Sequence, residues 1–244
     1  MNQDSSQRTF QRIEQKYLLS AQQYNTLMDR LRSQLRPDEF CRSTICSIYY
    51  DTPDYRLIRA SLDRPVYKEK LRLRSYGDPT QESTVFVEIK KKYDGVVYKR
   101  RVPMSLAEAE RYLSHNIHPA GECQILREID WFKRYYDGLH PVVFLSYDRE
   151  AYLACQNLAL RFTFDTNIRW RKSHLHLGDG VGGQRLLEED LHLMELKIPD
   201  ALPIPLVRLL EELEIRQTSY SKYGAAYQTH LAGRVAAKGG LVCA

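Results

Sequence analysis

The chain has five cysteines, Cys41, Cys46, Cys123, Cys155 and Cys243, an odd set without a Cys-x-x-Cys pair. This argues against a disulfide framework or a thiolate metal site and predicts ordinary buried thiols in a reducing compartment. No segment approaches the roughly 20 apolar residues needed to cross a membrane as a helix. Residues 1–15, MNQDSSQRTFQRIEQ, are polar and lack the apolar core of a signal peptide, so a cytoplasmic protein is expected. Walker A, Gly-x-Ser-x-Gly and His-Glu-x-x-His patterns are all missing, which removes P-loop, α/β-hydrolase and zincin chemistry. There is no internal repeat, no linker and no βαβ rhythm.

What remains is a globular composition, 43% hydrophobic and 27% charged, with a net charge of +5. The positive balance points mildly to an anionic partner. Period-two alternation predicts eight strands, over 10–18, 45–51, 66–76, 83–91, 96–102, 142–152, 158–166 and 190–198, with Asp94-Gly95 as a hairpin turn. Helices are expected after Ser20, ending at Pro37-Asp38 with Tyr24, Leu27, Leu31 and Leu35 on one face. Others are expected over 105–113, 122–136, 206–215 and 219–231, and Ser105 with Glu108 forms a capping pattern. Together these predict an α+β single domain over residues 1–230, an antiparallel barrel or large sheet carrying helices, with a disordered tail over 231–244.

Nearly every predicted strand has one charged and one apolar face. In KEKLRLRSYG (68–77), Lys68, Lys70, Arg72 and Arg74 alternate with Glu69, Leu71 and Leu73. The same parity aligns Glu14 with Lys16, Glu88 with Lys90, Lys99 with Arg101, Tyr147 with Arg149, Arg161 with Thr163 and Asp165, and Glu195 with Lys197. The opposite faces carry Ile13 and Tyr17, Leu71 and Leu73, Val85, Val87 and Ile89, then Leu160, Phe162 and Phe164, then Met194, Leu196 and Ile198. An ordinary barrel puts the apolar face inside. A barrel wrapped by amphipathic helices would turn the charges inward instead, and periodicity leaves both arrangements open. In the second, Lys16, Arg72, Arg74, Lys90, Lys99, Arg149, Arg161 and Lys197 would face Glu14, Glu88, Asp165 and Glu195. Unpaired buried cations cost several kcal/mol each, so such a channel should be wet and should hold a multiply charged anion.

The segments IEQKYLL (13–19), SIYYDTPD (47–54), KLRLRSYG (70–77), FVEIKKK (86–92), YKRRV (98–102), YDREAY (147–152), LRFTFDTNI (160–168), LMELKI (193–198) and SYSKYG (219–224) resemble, in order, the VTC-type polyphosphate polymerase domain. That domain belongs to the triphosphate tunnel metalloenzymes of the CYTH-like superfamily. The resemblance implies an eight-stranded antiparallel tunnel barrel with a charged interior. It implies ATP-dependent polyphosphate synthesis with Mn²⁺ or Mg²⁺, with ATP and inorganic polyphosphate as ligands and no nucleic acid. The site it implies has Arg72, Arg74, Lys90, Arg149 and Lys222 as catalytic groups. Lys16, Lys99, Tyr147, Arg161, Lys197 and Ser221 would bind phosphate, and Glu195, Glu14 and Glu88 would face the metal. Many tunnel hydrolases and cyclases carry Glu-x-Glu-x-Lys on the first strand; here the pattern is Arg12-x-Glu14-x-Lys16, which resembles the polymerase branch more than the triphosphatases. Eukaryotic relatives are tied to membrane segments, so any membrane coupling here would use a separate partner.

Three other features have plainer readings. The Gly178-x-Gly180-x-x-Gly183 spacing lies between predicted strands, where it reads as a flexible loop and not a dinucleotide fingerprint. His174 and His176 read as surface residues, and most of the seventeen tyrosines as core. Competing functions are a tripolyphosphatase or nucleoside triphosphatase of the same fold, a non-catalytic polyphosphate-binding module, and a basic RNA-binding surface.

Overall fold

The alternating segments pair into one antiparallel sheet. In the computed structural model, which describes residues 13–232 apart from 64, 95 and 200, the long strands are β1 (Ile13–Ser20), β2 (Leu35–Asp51), β3 (Tyr67–Tyr76), β4 (Thr84–Tyr93), β5 (Val96–Ser105), β6 (His140–Ala154), β7 (Arg161–Arg171) and β9 (Leu191–Ile198). Two-residue strands β8 (Gln184–Arg185) and β10 (Gln217–Thr218) join them. The order is β10-β1-β9-β7-β6-β2-β3-β4-β5, with β8 beside β7. The eight expected strands are thus the eight long ones. Arg12, Gly95 and the tail residues 233–244 lie outside the described residues.

The sheet curls until its ends face each other: Lys90 Nζ of β4 lies 3.8 Å from Glu14 Oε2 of β1. Backbone hydrogen bonds do not complete the expected closed barrel. β10 occupies the outer edge of β1, pairing Lys16 with Thr218 and Tyr17 with Gln217, so that edge is unavailable to β5.

Helices cover the convex face, which settles the choice that periodicity left open. α1 (Ala21–Leu31) and α5 (Ile204–Glu212) set Leu27, Leu31, Leu206 and Leu210 against Leu160, Phe162, Phe164, Met194, Leu196 and Ile198. α3 (Leu106–His115) and α4 (Gln124–Tyr135) set Leu106, Tyr112, Ile129 and Phe132 against Leu71, Leu73, Val85, Val87 and Ile89. Each fully buried large side chain stabilises the fold by roughly 1.5–3 kcal/mol. With the apolar faces outside, the charged faces line the inside. Ser20 and Ser105 each make a capping box, with Gln23 and Glu108.

Several expectations need correction. The first helix stops at Leu31, and Leu35 and Pro37 begin β2 instead. Proline is tolerated there because this end of β2 pairs with β6 alone; β3 joins only from Ile45. Ile13 is exposed, as are Cys123 and Cys155. Tyr67, Tyr76, Tyr93, Tyr98 and Tyr135 are also exposed, so the tyrosines are less of a core set than their number suggested. The glycine-rich loop is held at its flanks: Arg171 donates to the carbonyls of Gly180 (2.6 Å), Gly182 (2.8 Å) and His176 (3.1 Å).

The sequence also gave no sign of α2 (Arg56–Leu62), whose cap comes from a strand end. The fully buried Asp51 carboxylate accepts from the backbone N–H of Thr52, Leu57 and Ile58 and from Tyr223 Oη, at 2.8–3.0 Å. Tyr223 belongs to α6 (Lys222–Ala226), so one carboxylate ties α2 and α6 together. Asp51→Ala would leave buried donors unmet at about 1–3 kcal/mol apiece, and a loss of about 3 kcal/mol or more in urea unfolding is expected. A loss under 1 kcal/mol would mean that water replaces the carboxylate there.

Candidate active site

Strand parity carries the predicted residues onto the concave wall, and cross-strand ion pairs hold them in place. Glu88 of β4, fully buried, sits between three cations: Arg72 Nε at 2.6 Å, Lys99 Nζ at 2.7 Å and Arg74 Nε at 3.8 Å. Burial alone would raise its pKa; Arg72, Arg74 and Lys99 outweigh that and hold it at about 2. Asp165 of β7, also fully buried, receives Arg149 Nε at 2.6 Å and Nη2 at 2.7 Å, a bidentate fork, and Lys222 Nζ.

Glu195 of β9 forms ion pairs with Lys16 at 3.1 Å, Arg149 at 3.4 Å and Lys222 at 3.6 Å. Burial would raise this carboxyl too, but Lys222, Lys16 and Arg149 hold it well below the usual range. Glu14 meets Lys16 at 3.6 Å and Lys90 at 3.8 Å. Tyr147 Oη accepts from Arg74 at 3.2 Å, and Lys222 Nζ lies 4.3 Å from the centre of its ring.

The structure therefore brings Lys16, Arg72, Arg74, Lys90, Lys99, Arg149, Tyr147 and Lys222 together with Glu14, Glu88 and Glu195. Ser221 caps α6, accepting from Gly224 N, and its hydroxyl meets Lys70 Nζ at 3.4 Å. Lys197 lies opposite Glu14 in the β1–β9 register. Arg161 pairs with Asp38 of β2 at 2.6 Å, a partner no local pattern announced.

Three further groups had no expected site role. Lys70 lies on the wall, as the parity of β3 predicts. Asp165, expected among the inward anions, holds Arg149 and Lys222. Tyr49 of β2 faces β3, where it pairs with Arg72 and accepts from Arg72 Nη1 at 3.1 Å. The alternation Ser47, Tyr49, Asp51 against Ile48 and Tyr50 was the available signal.

These charges also perturb one another. Burial pulls Lys70 down to about 8, with Lys90, Lys16 and Lys68 adding repulsion and Tyr49 opposing it. Burial also lowers Lys99 to about 7 and Lys197 to about 8. Tyr49 moves the other way: burial would raise its phenol, but Arg72, Lys70 and Arg74 bring it down to about 7. Without a bound anion, the folded protein leaves Lys70 less protonated than the unfolded chain between about pH 8 and its ordinary 10.5, so this group makes stability rise with pH across that window. A bound polyanion restores the ammonium form. Titrating tripolyphosphate at pH 8 in buffers of different ionisation enthalpy should therefore show net proton uptake, reduced in Lys70→Met. Proton release on binding would contradict this electrostatic account.

The donor set bears on a metal. Among the described residues, no group of three or more His, Cys, Asp or Glu side chains converges. Glu14 and Glu195 share the Lys16 ammonium, so one cation already lies between two carboxylates. Oxygen donors of this kind suit Mg²⁺ or Mn²⁺ when phosphate oxygens and water complete the shell. Glu88, by contrast, is surrounded by guanidinium and ammonium groups.

The same architecture occurs in solved structures. A proposed adenylate cyclase of Bacillus halodurans superposes with a TM-score of 0.54 at 16% identity, covering 86% of this chain and 95% of its own. A plant protein from Hippeastrum, proposed as an adenylyl cyclase and described as having a dominant triphosphatase activity, aligns at 16% identity with a TM-score of 0.49, over 89% of this chain and 94% of its own. The first of these superpositions shows a shared fold. A family model for the VTC domain matches residues 11–231, and the chain belongs to that family. A comparison with curated protein sequences gives no match. No helix among the described residues is long and apolar enough to cross a membrane.

Proposed function

We propose that the protein is an ATP-dependent inorganic polyphosphate polymerase, transferring the γ-phosphate of ATP to the end of a polyphosphate chain. The observation that carries this reading is the convergence of cations from β1, β3, β4, β5, β6 and α6 on one concave wall in a VTC-family chain. Phosphoryl transfer needs alignment and neutralisation of charge more than covalent help from the protein. Arg72, Arg74 and Arg149 are held by carboxylates, so their forks are oriented before a ligand arrives. Lys90 and Lys99, with Lys16 and Lys197, supply point charges along a phosphate chain, and Tyr147 and Ser221 supply hydroxyls.

Arg72, Arg74 and Lys222 would neutralise the charge that develops as the β–γ bridging bond breaks and an oxygen of the acceptor phosphate bonds to the γ-phosphorus. ADP leaves with the bridging oxygen. The acceptor oxygen is already ionised, so a strong base is dispensable. Glu195 with Glu14 would hold the divalent ion, Mn²⁺ or Mg²⁺, which would add charge neutralisation at the phosphates. We read Glu88 as the post that fixes Arg72 and Lys99. A cytoplasmic location, with membrane contact left to a separate partner, accords with this reading.

The test is ³¹P NMR of the protein with ATP and Mn²⁺. A growing internal-phosphate signal accompanied by ADP, with little orthophosphate, is expected. Orthophosphate with ADP would transfer the assignment to a triphosphatase of the same fold, in which water is the acceptor. An unchanged spectrum despite tight tripolyphosphate binding would leave a binding module.

A further inference from the structure

The concave wall is not uniform along its length. In one part it carries Lys70 and Lys90, opposite each other on β3 and β4, with Lys16 joined to Lys90 through Glu14. In another, beyond Arg74, it turns aromatic. Phe86 of β4 lies directly opposite Arg74 of β3 in the register, and Pro103 of β5 lies opposite Phe86 on its other side. Tyr76 follows Arg74 by two residues on the same face. The two rings meet edge to face, with centroids 5.9 Å apart. Arg101 of β5 places its guanidinium 4.4 Å from the centre of Phe86 and donates to Tyr76 Oη at 3.4 Å.

Burial separates this group from ordinary packing. Arg74 is 6% exposed, whereas Tyr76, the next residue on that face, is 49% exposed. The apolar faces of β3 and β4 lie on the other side of the sheet, beneath α3 and α4, so Tyr76 and Phe86 belong to neither that core nor the outer surface. They form a partly exposed shelf next to Arg74, the last arginine of the charged row on β3. Alternate residues on one strand face stand roughly 7 Å apart, about the reach of a sugar between a phosphate and its base.

We propose that Tyr76, Phe86 and Arg101 form a stacking shelf for the nucleobase of a nucleoside triphosphate, with its α-phosphate near Arg74 and its γ-phosphate directed toward Lys90 and Lys16. This rests on the reading that the wall binds triphosphate. An exposed aromatic ring presents a π-face to any base, and the Arg101 guanidinium adds a cation at the ring. Stacking tolerates base identity, so GTP should bind nearly as well as ATP. Inorganic tripolyphosphate has no base and should ignore the shelf.

The experiment compares calorimetric affinities for ATP and tripolyphosphate in wild type, Tyr76→Ala, Tyr76→Phe and Phe86→Leu. Tyr76→Ala is expected to weaken ATP roughly tenfold or more while leaving tripolyphosphate within about twofold, and Tyr76→Phe to retain most ATP affinity. Because Tyr76 is half exposed at a strand end, its truncation should not threaten the fold; Phe86→Leu checks the shelf from a second strand. Unchanged ATP affinity in both ring-removing variants, with tripolyphosphate still bound, would overturn the shelf alone. Equal losses for both ligands would also overturn it. Failure of wild type to bind either ligand would overturn the triphosphate reading beneath it as well.

Discussion

Arg149→Met is expected to abolish turnover and to lower the melting temperature together. Arg149 forks onto Asp165 at 2.6 and 2.7 Å and reaches Glu195 at 3.4 Å. Asp165 has no exposed surface, so removing its fork strands a buried carboxylate with Lys222 as its remaining ion-pair partner. Breaking such a pair from one side costs about 3–5 kcal/mol. Turnover should fall at least about 100-fold, the usual consequence of losing an oriented donor at a developing charge. The double variant Arg149→Met with Asp165→Asn separates the two effects. Thermal unfolding should recover much of the lost stability, while phosphate-transfer assays should find no recovered activity. Recovered turnover would make Arg149 a structural residue only.

Arg74→Ala should behave differently. Its guanidinium lies 3.8 Å from Glu88, which keeps Arg72 at 2.6 Å and Lys99 at 2.7 Å when Arg74 is gone. The remaining losses are hydrogen bonds to Ser47 at 3.3 Å and Tyr147 at 3.2 Å, together worth about 1–3 kcal/mol. Turnover should nevertheless fall roughly 100- to 1,000-fold, because the row proposed to face the phosphates loses a fork. A variant that melts far lower yet keeps its activity would show that the charge serves the fold and would remove Arg74 from the site. The contrast between the two arginines follows from how many partners each leaves behind.

Why was so much of the channel wall readable, and its partners not? Alternation fixes which residues share a face, so Arg72 with Arg74, Glu88 with Lys90, and Glu195 with Lys197 emerged from period two alone. Alternation does not say which face is concave. That depended on helices whose apolar stripes needed the other side of the sheet, and the family resemblance chose the same arrangement. Contacts between distant segments carry no local signature. Asp51 and Tyr223 are 172 positions apart, and nothing near Arg161 points to Asp38. α2 escaped notice because seven residues give too little periodicity, and its cap is a buried carboxylate at a strand end instead of a residue immediately before the helix. Leu35 and Pro37 misled because a leucine at helical spacing also fits the first residue of a strand.

The carboxylates on the wall also make binding an exchange of counterions. Glu88, Asp165, Glu195 and Glu14 already neutralise much of the positive charge, each drawing on two or more cations. A singly or doubly charged anion would compete with these tethered partners at one place and gain little. A chain of phosphates engages several cations at once and adds its gains along the wall. Discrimination would therefore come from valence and length, with small phosphate ions gaining too little at any one place to displace the tethered carboxylates.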